Sequence, residues 1–201
     1  MKEIPFNLIT GIIHIGAHAG EEAGLYHKKE VKRVLWFEPN PKAYSALKDN
    51  LKKYKTQFAV NAGISQQEGK MTLHIASNSW SSSFLPLKEH AVEYPDIYYT
   101  ESIEVDTMRG DSIKDLHLYN TINIDVQGYE LVALKSFGDK IKDFRYIYAE
   151  VNFKEMYDGC VLIGDLDKYL AGYGFTRKAT TDTQKGWGDA LYENNSYNPV
   201  S

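Results

Sequence analysis

A glycine-rich turn and a later glutamate are the residues of this sequence whose types and spacing could bind a nucleoside. The turn lies within Gly11–Gly20 (GIIHIGAHAG), and Glu38 follows eighteen residues after it. Glycine has no Cβ and tolerates positive φ, so an apolar strand that runs into glycines lets the backbone approach a ligand. An acid at the end of the next strand can accept hydrogen bonds from both hydroxyl groups of a ribose. Together these features predict a nucleoside site.

His18 indicates which kind of nucleoside fits. In the dinucleotide fingerprint G-x-G-x-x-G, the second glycine lets the backbone touch a pyrophosphate, and this chain has the bulky His18 there. A P-loop is also excluded, because no Gly-Lys-Ser/Thr follows. The turn therefore favours an adenosyl ligand without a pyrophosphate, of which S-adenosylmethionine is the common one. The alternative is that Gly16 and Gly20 serve only a tight strand-to-helix turn.

Composition restricts the class of protein. A chain of 201 residues with 43% hydrophobic and 25% charged residues predicts one domain over residues 1–201. The net charge of -4 argues against a nucleic-acid-binding surface. The single cysteine, Cys160, cannot form an internal disulfide and suits the reducing cytoplasm. Neither a signal peptide nor a membrane span is expected, since no long apolar run occurs. The oligomeric state stays open.

The elements that must position these residues alternate between strand and helix patterns. This alternation predicts an α/β fold, a Rossmann-like sheet with helices on both faces. A closing antiparallel hairpin is expected from Phe175–Ala179 and Ala190–Tyr192. The other predicted strands are Ile12–Ile15, Val31–Phe37, Phe58–Asn61, Lys70–Ala76, Ser102–Val105, Thr121–Val126 and Tyr146–Val151. The predicted helices are Glu21–Glu30, Pro41–Tyr54, Gly128–Phe137 and Leu162–Leu170.

A polar and aromatic insertion interrupts this pattern from Ser77 to Thr100. So long a segment predicts a lid or substrate loop near residues 77–100, with a disordered connection as the alternative. Several aromatic residues are candidates for a wall on which a sugar stacks, although packing at the rim of the core is the commoner role of any single one. These candidates are Trp80, Tyr98, Tyr99 and Trp187.

Acids follow the predicted strands. Ligands of open α/β sheets bind beyond the carboxyl ends of the strands, where Asp125, Glu150 and Asn61 should join the glycine turn and Glu38. A carboxylate is costly to bury without a partner, so these acids need ligands, cations or donors. Capping of the following helices is the alternative.

The segments around these positions resemble the FkbM family of S-adenosylmethionine-dependent methyltransferases. The matching segments are Ile13–Gly20, Phe37–Pro39, Val60–Ser65, Ser81–Leu85 and Ile124–Glu130. The resemblance implies the class I methyltransferase sheet of seven mostly parallel strands and O-methylation of a hydroxyl on a sugar or sugar-bearing natural product. The chain departs from the family where His14 replaces a common Asp, His18 a common Asn and Gln127 a common Glu.

The candidate site combines the motif residues with the strand-end acids. Glu38 is expected to hold the ribose, and Asn61 and Ala62 to lie beside the adenine. Asp125 and Glu150 are the candidate catalytic residues, with Asp125 as the base that takes the hydroxyl proton or orients the hydroxyl, helped by Glu150, His90 or His117. The candidate cofactor-binding residues are His14, Gly16, His18, Gly20, Glu38, Pro39, Asn61, Ala62 and Asp125.

A divalent metal is a further hypothesis for this edge of the sheet. Asp125, Glu150 and Asn152 offer the hard oxygen ligands that Mg²⁺ or Ca²⁺ prefers. Such an ion would bind neighbouring sugar hydroxyls and lower the pKa of the attacking one. Hydrogen bonding of the same residues to a substrate is the alternative.

Four classes of function stay in competition. The preferred one is a methyltransferase acting on a sugar or glycan that is free, nucleotide-linked or part of a polymer. A nucleic-acid or small-molecule natural-product methyltransferase is the nearest alternative, although no Asn/Asp-Pro-Pro-Tyr motif occurs. An NAD-dependent oxidoreductase would need the pyrophosphate turn that His18 obstructs. A non-catalytic adenosyl-binding module would bind the cofactor without an acceptor pocket.

Overall fold

A seven-stranded sheet forms the centre of the protein. The computed structural model describes residues 4–198. The strands in spatial order are β3 (Gln57–Val60), β2 (Val34–Phe37), β1 (Ile12–Ile15), β7 (Thr121–Ile124), β8 (Tyr146–Asn152), β10 (Trp187–Asn194) and β9 (Phe175–Thr180). Neighbouring strands from β3 to β8 are parallel, whereas β10 runs antiparallel to both β8 and β9. The predicted mostly parallel sheet with a C-terminal antiparallel hairpin is confirmed.

The central strands are apolar because helices and loops cover both faces of the sheet. Every residue of β1 and β7 is buried, and Ile13 and Ile122 are paired neighbours with no exposed surface. The helices that cover the sheet are α1 (Ala23–Lys28), α2 (Pro41–Leu51), α4 (Glu130–Lys135) and α5 (Ile163–Ala171).

The ends of the elements differ from the predicted ones where turn chemistry intervenes. The α2 helix starts as predicted, because the Asn40 side chain accepts a hydrogen bond from Lys42 N at 3.0 Å and Pro41 follows. The β2 strand starts at Val34 rather than Val31, since Glu30 with φ of 57° closes the preceding helix. The hairpin strands are longer than predicted, and their connecting loop is correspondingly shorter.

A second sheet of three strands lies beside the first. It contains β4 (Gly63–Ile64), β6 (Tyr99–Met108) and β5 (Gly69–Ala76), in that order. The predicted strands Lys70–Ala76 and Ser102–Val105 fall within β5 and β6, which pair antiparallel. Sequence reasoning did not separate this sheet from the main one.

The segment between β5 and β6 is folded rather than a disordered connection. It contains a short 3₁₀ helix at Ser79–Ser81 and the α3 helix at Glu89–Glu93. Two ion pairs fasten it to the segment after β8, Lys88 to Glu155 at 2.7 Å and Lys154 to Glu93 at 3.0 Å. Among residues 4–198, none of the helices has the length and apolar character needed to cross a bilayer.

Candidate active site

A cavity of about 660 Å³ opens at the carboxyl edge of the main sheet. It follows the strand ends in the order β2, β1, β7, β8 and β10, and neighbouring strands are about 4.8 Å apart. The segment between β5 and β6 covers it. We call the part beside Glu38 and Pro39 the β2 end, and the part beside Asn152 and Trp187 the β10 end.

The turn after β1 depends on glycine for close packing. Gly16 has φ of 84°, and a Cβ there would meet Asp125 O at 1.8 Å. Gly20 has φ of 77°, and a Cβ there would meet Leu47 Cδ1 at 2.6 Å. These glycines therefore let the β1 turn approach the β7 turn and α2.

Glu38 anchors this turn to the end of β2. Its Oε2 accepts a hydrogen bond from His18 N at 2.7 Å, and its Oε1 accepts one from Asn40 N at 2.8 Å. Burial raises the pKa of Glu38 to about 7, although both donors favour the ionised form. A carboxylate has about four lone-pair sites, so the group retains acceptor capacity for a ligand.

His14 is a neutral residue of the β1 core. Burial lowers its pKa to about 3. Asn123 Nδ2 donates to Tyr26 Oη at 2.7 Å, and the Tyr26 hydroxyl lies 3.1 Å from His14 Nδ1, which it reaches as a donor. The His14 ring also stacks on Trp36, with ring centroids 4.4 Å apart. These contacts fix the ring at the cavity floor without a charge.

His18 connects the β1 turn to the covering segment. Its Nε2 lies 2.7 Å from Ser79 Oγ, and its Nδ1 lies 2.7 Å from Glu21 Oε1. The indole Nε1 of Trp80, which can only donate, lies 2.8 Å from the same Nδ1 and 3.3 Å from Glu21 Oε1. An ionised Glu21 fixes the proton on Nδ1, so Trp80 donates to the glutamate instead.

Three carboxyl groups meet below the centre of the cavity. Oxygen atoms of Asp125, Glu130 and Glu150 all lie within 4.8 Å of one another. Gln127 Nε2 donates to Asp125 Oδ1 at 2.7 Å and to Glu150 Oε2 at 3.0 Å. The hydroxyl of Tyr157 donates to Gln127 Oε1, which orients the amide. A neutral amide therefore bridges the two acids.

The shared environment raises the pKa of all three acids. Asp125 is exposed to the cavity, and loss of water around its carboxyl is the main cause of its raised pKa. Burial with repulsion from Asp125 raises the pKa of Glu150 well above its ordinary value. Burial also raises the pKa of Glu130 to about 7, although its Oε1 accepts hydrogen bonds from Val126 N and Gly128 N. Asp125 and Glu150 compete for the same proton, because like charges this close disfavour double ionisation.

The β10 end contains several aromatic residues. Trp187 Nε1 donates to Tyr94 Oη at 2.9 Å, and the His90 ring packs between Tyr94 and Tyr157, with centroids 4.9 and 5.3 Å away. Burial lowers the pKa of His90. Among residues 4–198, the buried side-chain atoms without a hydrogen-bond partner are His90 Nδ1 and both amide atoms of Asn152.

Comparison with known families identifies the chain. The model of the FkbM methyltransferase domain matches residues 14–177, most of the 201-residue chain. The chain belongs to the FkbM methyltransferase family. The 2-O-methyltransferase NoeI of Sinorhizobium fredii is a relative, 28% identical over 159 residues, which cover 74% of this chain and 65% of that protein. The FkbM chain thus spans just under two thirds of this relative's length.

Solved structures share the fold of this FkbM chain at low sequence identity. The fibrillarin pre-rRNA processing protein of Methanococcus jannaschii has a TM-score of 0.56 and 12% identity, over 94% of this chain and 68% of that one. TrmK of M. capricolum, in complex with S-adenosylhomocysteine, has a TM-score of 0.55 and 12% identity, over 98% of this chain and 69% of that one. Magnesium protoporphyrin IX methyltransferase of Synechocystis has a TM-score of 0.52 and 11% identity, over 92% of this chain and 69% of that one. At these identities the likeness concerns the fold.

The FkbM chain brings most of the predicted site residues to one cavity. The lining includes His14, Gly16, His18, Glu38, Pro39, Asp125, Glu150 and Asn152. Gly20, Asn61 and Ala62 are outside this lining; the Asn61 amide instead donates to the carbonyls of Glu38 and Pro39 at 2.8 and 3.1 Å.

The two histidines predicted to help Asp125 lie in different places. His90 lines the cavity, whereas His117 is exposed in the 3₁₀ helix Leu116–Leu118. That helix precedes β7 and lies at the amino edge of the sheet, so the His117 hypothesis is wrong. Of the predicted aromatic wall, Trp80 and Trp187 line the cavity, and Tyr98 and Tyr99 do not.

Sequence reasoning missed several lining residues of this FkbM chain. Glu22 and Asp189 add two acids to the cavity, and Tyr157 supports Gln127. Asp189 faces Glu150 across the β8–β10 ladder, and the β10 strand starts before the predicted hairpin strand. Extending the predicted strand Ala190–Tyr192 back to Trp187 would have included Asp189. Tyr157 follows β8 in an irregular loop, and no pattern in the sequence indicates its position.

Proposed function

We propose that this FkbM methyltransferase transfers a methyl group from S-adenosylmethionine to a hydroxyl of a sugar or glycan. S-adenosylmethionine is the cofactor of the protein, consistent with the family match and with cofactor-bound structures of the same fold. The O-methyl and sugar parts of the proposal rest on the chemistry of the cavity. The 2-O-methyltransferase activity named for the Sinorhizobium relative supports transfer to oxygen.

The β2 end of the cavity fits the cofactor. Glu38 has acceptor capacity left for ribose hydroxyls, and the positive φ values of Gly16 and His18 turn the β1 backbone toward the cavity. The acids Glu21 and Glu22 line the same region, which suits a ligand that carries positive charge. When bound, S-adenosylmethionine supplies an electrophilic methyl group on a positively charged sulfur.

The position of Asp125 between the two ends of the cavity carries the proposal. Its carboxylate extends from the end of β7, next to the Gly16 turn on one side and Glu150 on the other. Glu150 has the stronger reason to be protonated, because repulsion from Asp125 adds to its burial. Asp125 then keeps the ionised carboxylate that accepts an acceptor hydroxyl's proton. A positioned base of this kind contributes about 10²–10⁴-fold to a rate.

Orientation of the acceptor is the second contribution of the chain. The Gln127 amide holds Asp125 and Glu150 in fixed positions, so the base does not have to reorganise. Side chains of the covering segment and the β10 end line the cavity around these acids and offer contacts that orient an acceptor. Alignment of reacting groups can supply about 7–11 kcal/mol in favourable intramolecular models.

One experiment tests class and acceptor together. The purified protein is incubated with S-adenosylmethionine labelled in the methyl group and with glycans, tRNA and small phenolic hydroxyl compounds in separate reactions. We expect the label as a methyl ether on a sugar, identified by mass spectrometry of the hydrolysed product. Label found only in tRNA or in phenols would contradict the sugar proposal. In a parallel reaction with NADH in place of S-adenosylmethionine, oxidation of NADH by a protein that transfers no methyl group would contradict the class.

A further inference from the structure

The β10 end contains polar groups that are buried but have no partner. Asn152 is 1% exposed, and neither its Oδ1 nor its Nδ2 makes a hydrogen bond within residues 4–198. His90 is 6% exposed, and its Nδ1 likewise has no partner there. Buried polar side chains are hydrogen-bonded in the large majority of cases, so each exception needs an explanation. Both residues line the same cavity, and a ligand with polar groups would explain both.

These two residues are held firmly in place from different elements. Asn152 lies in β8, where its backbone pairs with Trp187 of β10 and with Leu162. His90 lies in α3, where its backbone N–H donates to Met156 O at 3.0 Å and its ring packs on Tyr94 and Tyr157. The backbones of both residues are therefore fixed beside the same cavity. The rings of Tyr94 and Trp187 line the same cavity and offer flat apolar surface, as a sugar ring with polar edges requires.

The charge of the cavity limits what the ligand can carry. Phosphate groups are bound by arginine, lysine or the N-terminus of a helix. The cavity lining of the described residues has neither lysine nor arginine, and α3 is a helix of only five residues. Six acids line it instead: Glu21, Glu22, Glu38, Asp125, Glu150 and Asp189. A diphosphate beside these acids would be repelled.

Two lysines near the rim of the β10 end are already engaged in ion pairs. Lys88 pairs with Glu155, and Lys154 pairs with Glu93. Lys185 lies outside the lining, with its Nζ 4.6 Å from the centroid of the Tyr94 ring. This single cation is the strongest competing feature, because it could meet a phosphate at the entrance.

We infer that the acceptor is a sugar without phosphate, bound at the β10 end through hydrogen bonds to Asn152 and His90. This inference rests on the proposed function and narrows it: nucleotide-linked sugars are excluded as acceptors, whereas free glycosides and phosphate-free glycan chains are admitted. An uncharged or amino sugar suits the acids of the cavity, and its hydroxyl groups satisfy the partnerless atoms of both residues.

The first test compares matched acceptors. Methyl glycosides of common hexoses and 6-deoxyhexoses, and oligosaccharides that contain them, are compared with the nucleoside diphosphate forms of the same sugars. Methyl transfer from labelled cofactor is measured for each. We expect transfer to phosphate-free members only. Preference for a nucleotide-linked member overturns the inference, and so does an absence of transfer to all phosphate-free members while calorimetry shows intact cofactor binding. Absence of cofactor binding contradicts the proposed function itself.

The second test uses two variants, and their melting temperatures show whether a change in acceptor KM comes from lost binding or from damaged folding. Asn152→Leu and His90→Phe preserve side-chain size and remove the partnerless atoms. Because those atoms make no internal hydrogen bond, the melting temperature should stay equal or rise, whereas KM for the acceptor should rise by about tenfold or more. The Kd of S-adenosylmethionine should stay within about twofold, since the hydrogen bonds lost concern the β10 end alone.

Matched controls complete the design. His117→Phe makes the same substitution at the amino edge of the sheet and should leave KM unchanged. Lys185→Gln should also leave it unchanged, because the inferred acceptor has no phosphate. A lower melting temperature of Asn152→Leu, an unchanged acceptor KM in both cavity variants, or a large KM increase in Lys185→Gln would each overturn the inference.

Discussion

Gln127 donates a hydrogen bond from Nε2 to Asp125 Oδ1 at 2.7 Å, and the same nitrogen reaches Glu150 Oε2 at 3.0 Å. The amide thus occupies the position between two carboxylates that a cation would otherwise take. Its own oxygen accepts from the Tyr157 hydroxyl, so the donor side cannot turn away without losing that bond. The donated hydrogen bonds stabilise negative charge on both carboxyl groups and so oppose the rise in pKa that loss of water and mutual repulsion cause.

Replacing Gln127 by Glu should move the pH dependence of methyl transfer upward. The change removes the donor and adds another acidic group to the cluster, which raises the pKa of the Asp125–Glu150 pair further. Asp125 must be ionised to act as a base, so activity rises with pH through its pKa. We expect the acid limb of the kcat profile to move up by about one unit or more. Gln127→Met, which removes the donor without adding charge, should move it less; coincident profiles of Gln127→Glu and the parent protein would contradict this account.

Chelation should have different effects on the parent protein and on Gln127→Glu. In the parent protein the Gln127 amide already bridges the acids, so we expect full methyl transfer after exhaustive treatment with a chelator. In Gln127→Glu a fourth carboxyl group joins those of Asp125, Glu130 and Glu150. Four carboxyl groups offer the hard oxygen ligands that Mg²⁺ and Ca²⁺ prefer, so added Mg²⁺ should restore activity. Loss of parental activity on chelation, recovered by Mg²⁺, would instead support the metal hypothesis for Asp125, Glu150 and Asn152.

Replacing Asp125 by Asn should suppress turnover while leaving cofactor binding nearly intact. The amide cannot take up the acceptor proton, so kcat should fall by about 10²–10⁴-fold. Single-turnover rates and calorimetric Kd values measure the two effects separately. Asp49→Asn, on the exposed face of α2, is the matched control and should be fully active. A fully active Asp125→Asn protein would remove the role proposed for this residue.

Cofactor affinity should depend on the ionisation of Glu38. Burial raises its pKa to about 7, so the fraction of carboxylate, which is the better acceptor for ribose hydroxyls, increases as pH rises through 7. We expect tighter S-adenosylmethionine binding at pH 8 than at pH 6. Glu38→Ala should lose about 1–3 kcal/mol of binding free energy at pH 8 and show little dependence on pH. Equal calorimetric affinities of parent and variant at pH 8 would exclude Glu38 as the ribose acceptor.

Glu130 should make the protein less stable as pH rises. Its folded-state pKa is about 7 because of burial, above the ordinary value of 4.5, so the folded state binds the proton more tightly than the unfolded state. The resulting stability is present below about pH 4.5 and is lost between about pH 4.5 and 7. Glu130→Gln keeps an oxygen for the backbone donors of Val126 and Gly128 but does not titrate.

The Gln variant should therefore flatten this part of the stability profile. We expect a melting temperature at pH 8 that is higher than the parent's by about 2–4 °C for each 1 kcal/mol recovered. Differential scanning calorimetry at closely spaced pH values from 4 to 8 provides the comparison. Parallel profiles of the two proteins would mean that Glu130 does not carry the effect.

The main sheet could be predicted because its information is local. Apolar runs such as Ile12–Ile15 and Thr121–Ile124 are buried on both faces, and the acids that follow them end at one edge by the geometry of parallel strands. The three-stranded sheet could not be separated, since β4 has only two residues and β6 contains Glu101, Glu104 and Asp106. Nothing in a short or polar strand specifies its partner.

The residues of the site that follow strands could also be predicted, whereas those that depend on turns and packing could not. Strand ends gave Glu38, Asp125 and Glu150, whereas the role of Glu130 as an acceptor of backbone hydrogen bonds depends on the turn at Gln127–Gly128. The lack of partners at His90 and Asn152 is a property of packing between distant segments and has no signature in the sequence. The prediction of His117 as a helper of Asp125 is wrong because residue type alone does not say at which edge of the sheet a loop lies.

Trp80 should hold the covering segment on the β1 turn. Its ring is 65% exposed, so the hydrogen bond of its Nε1 to the Glu21 carboxylate, rather than burial, accounts for its position beside His18. Trp80→Phe keeps the ring and removes the donor. If residues 77–100 act as the proposed lid, the dissociation rate of S-adenosylmethionine should rise by about 2- to 12-fold, the equivalent of one net hydrogen bond.

Stopped-flow kinetics measure the release of S-adenosylmethionine, and amide hydrogen exchange measures the motion of the covering segment. Exchange should accelerate at residues 77–85 and stay unchanged in α3, because the ion pairs Lys88–Glu155 and Lys154–Glu93 fasten that part separately. Tyr98→Phe, an exposed residue of the same segment outside the cavity lining, is the matched control and should alter neither quantity. Faster exchange without faster cofactor release would show that the segment moves independently of the cofactor, which contradicts a lid.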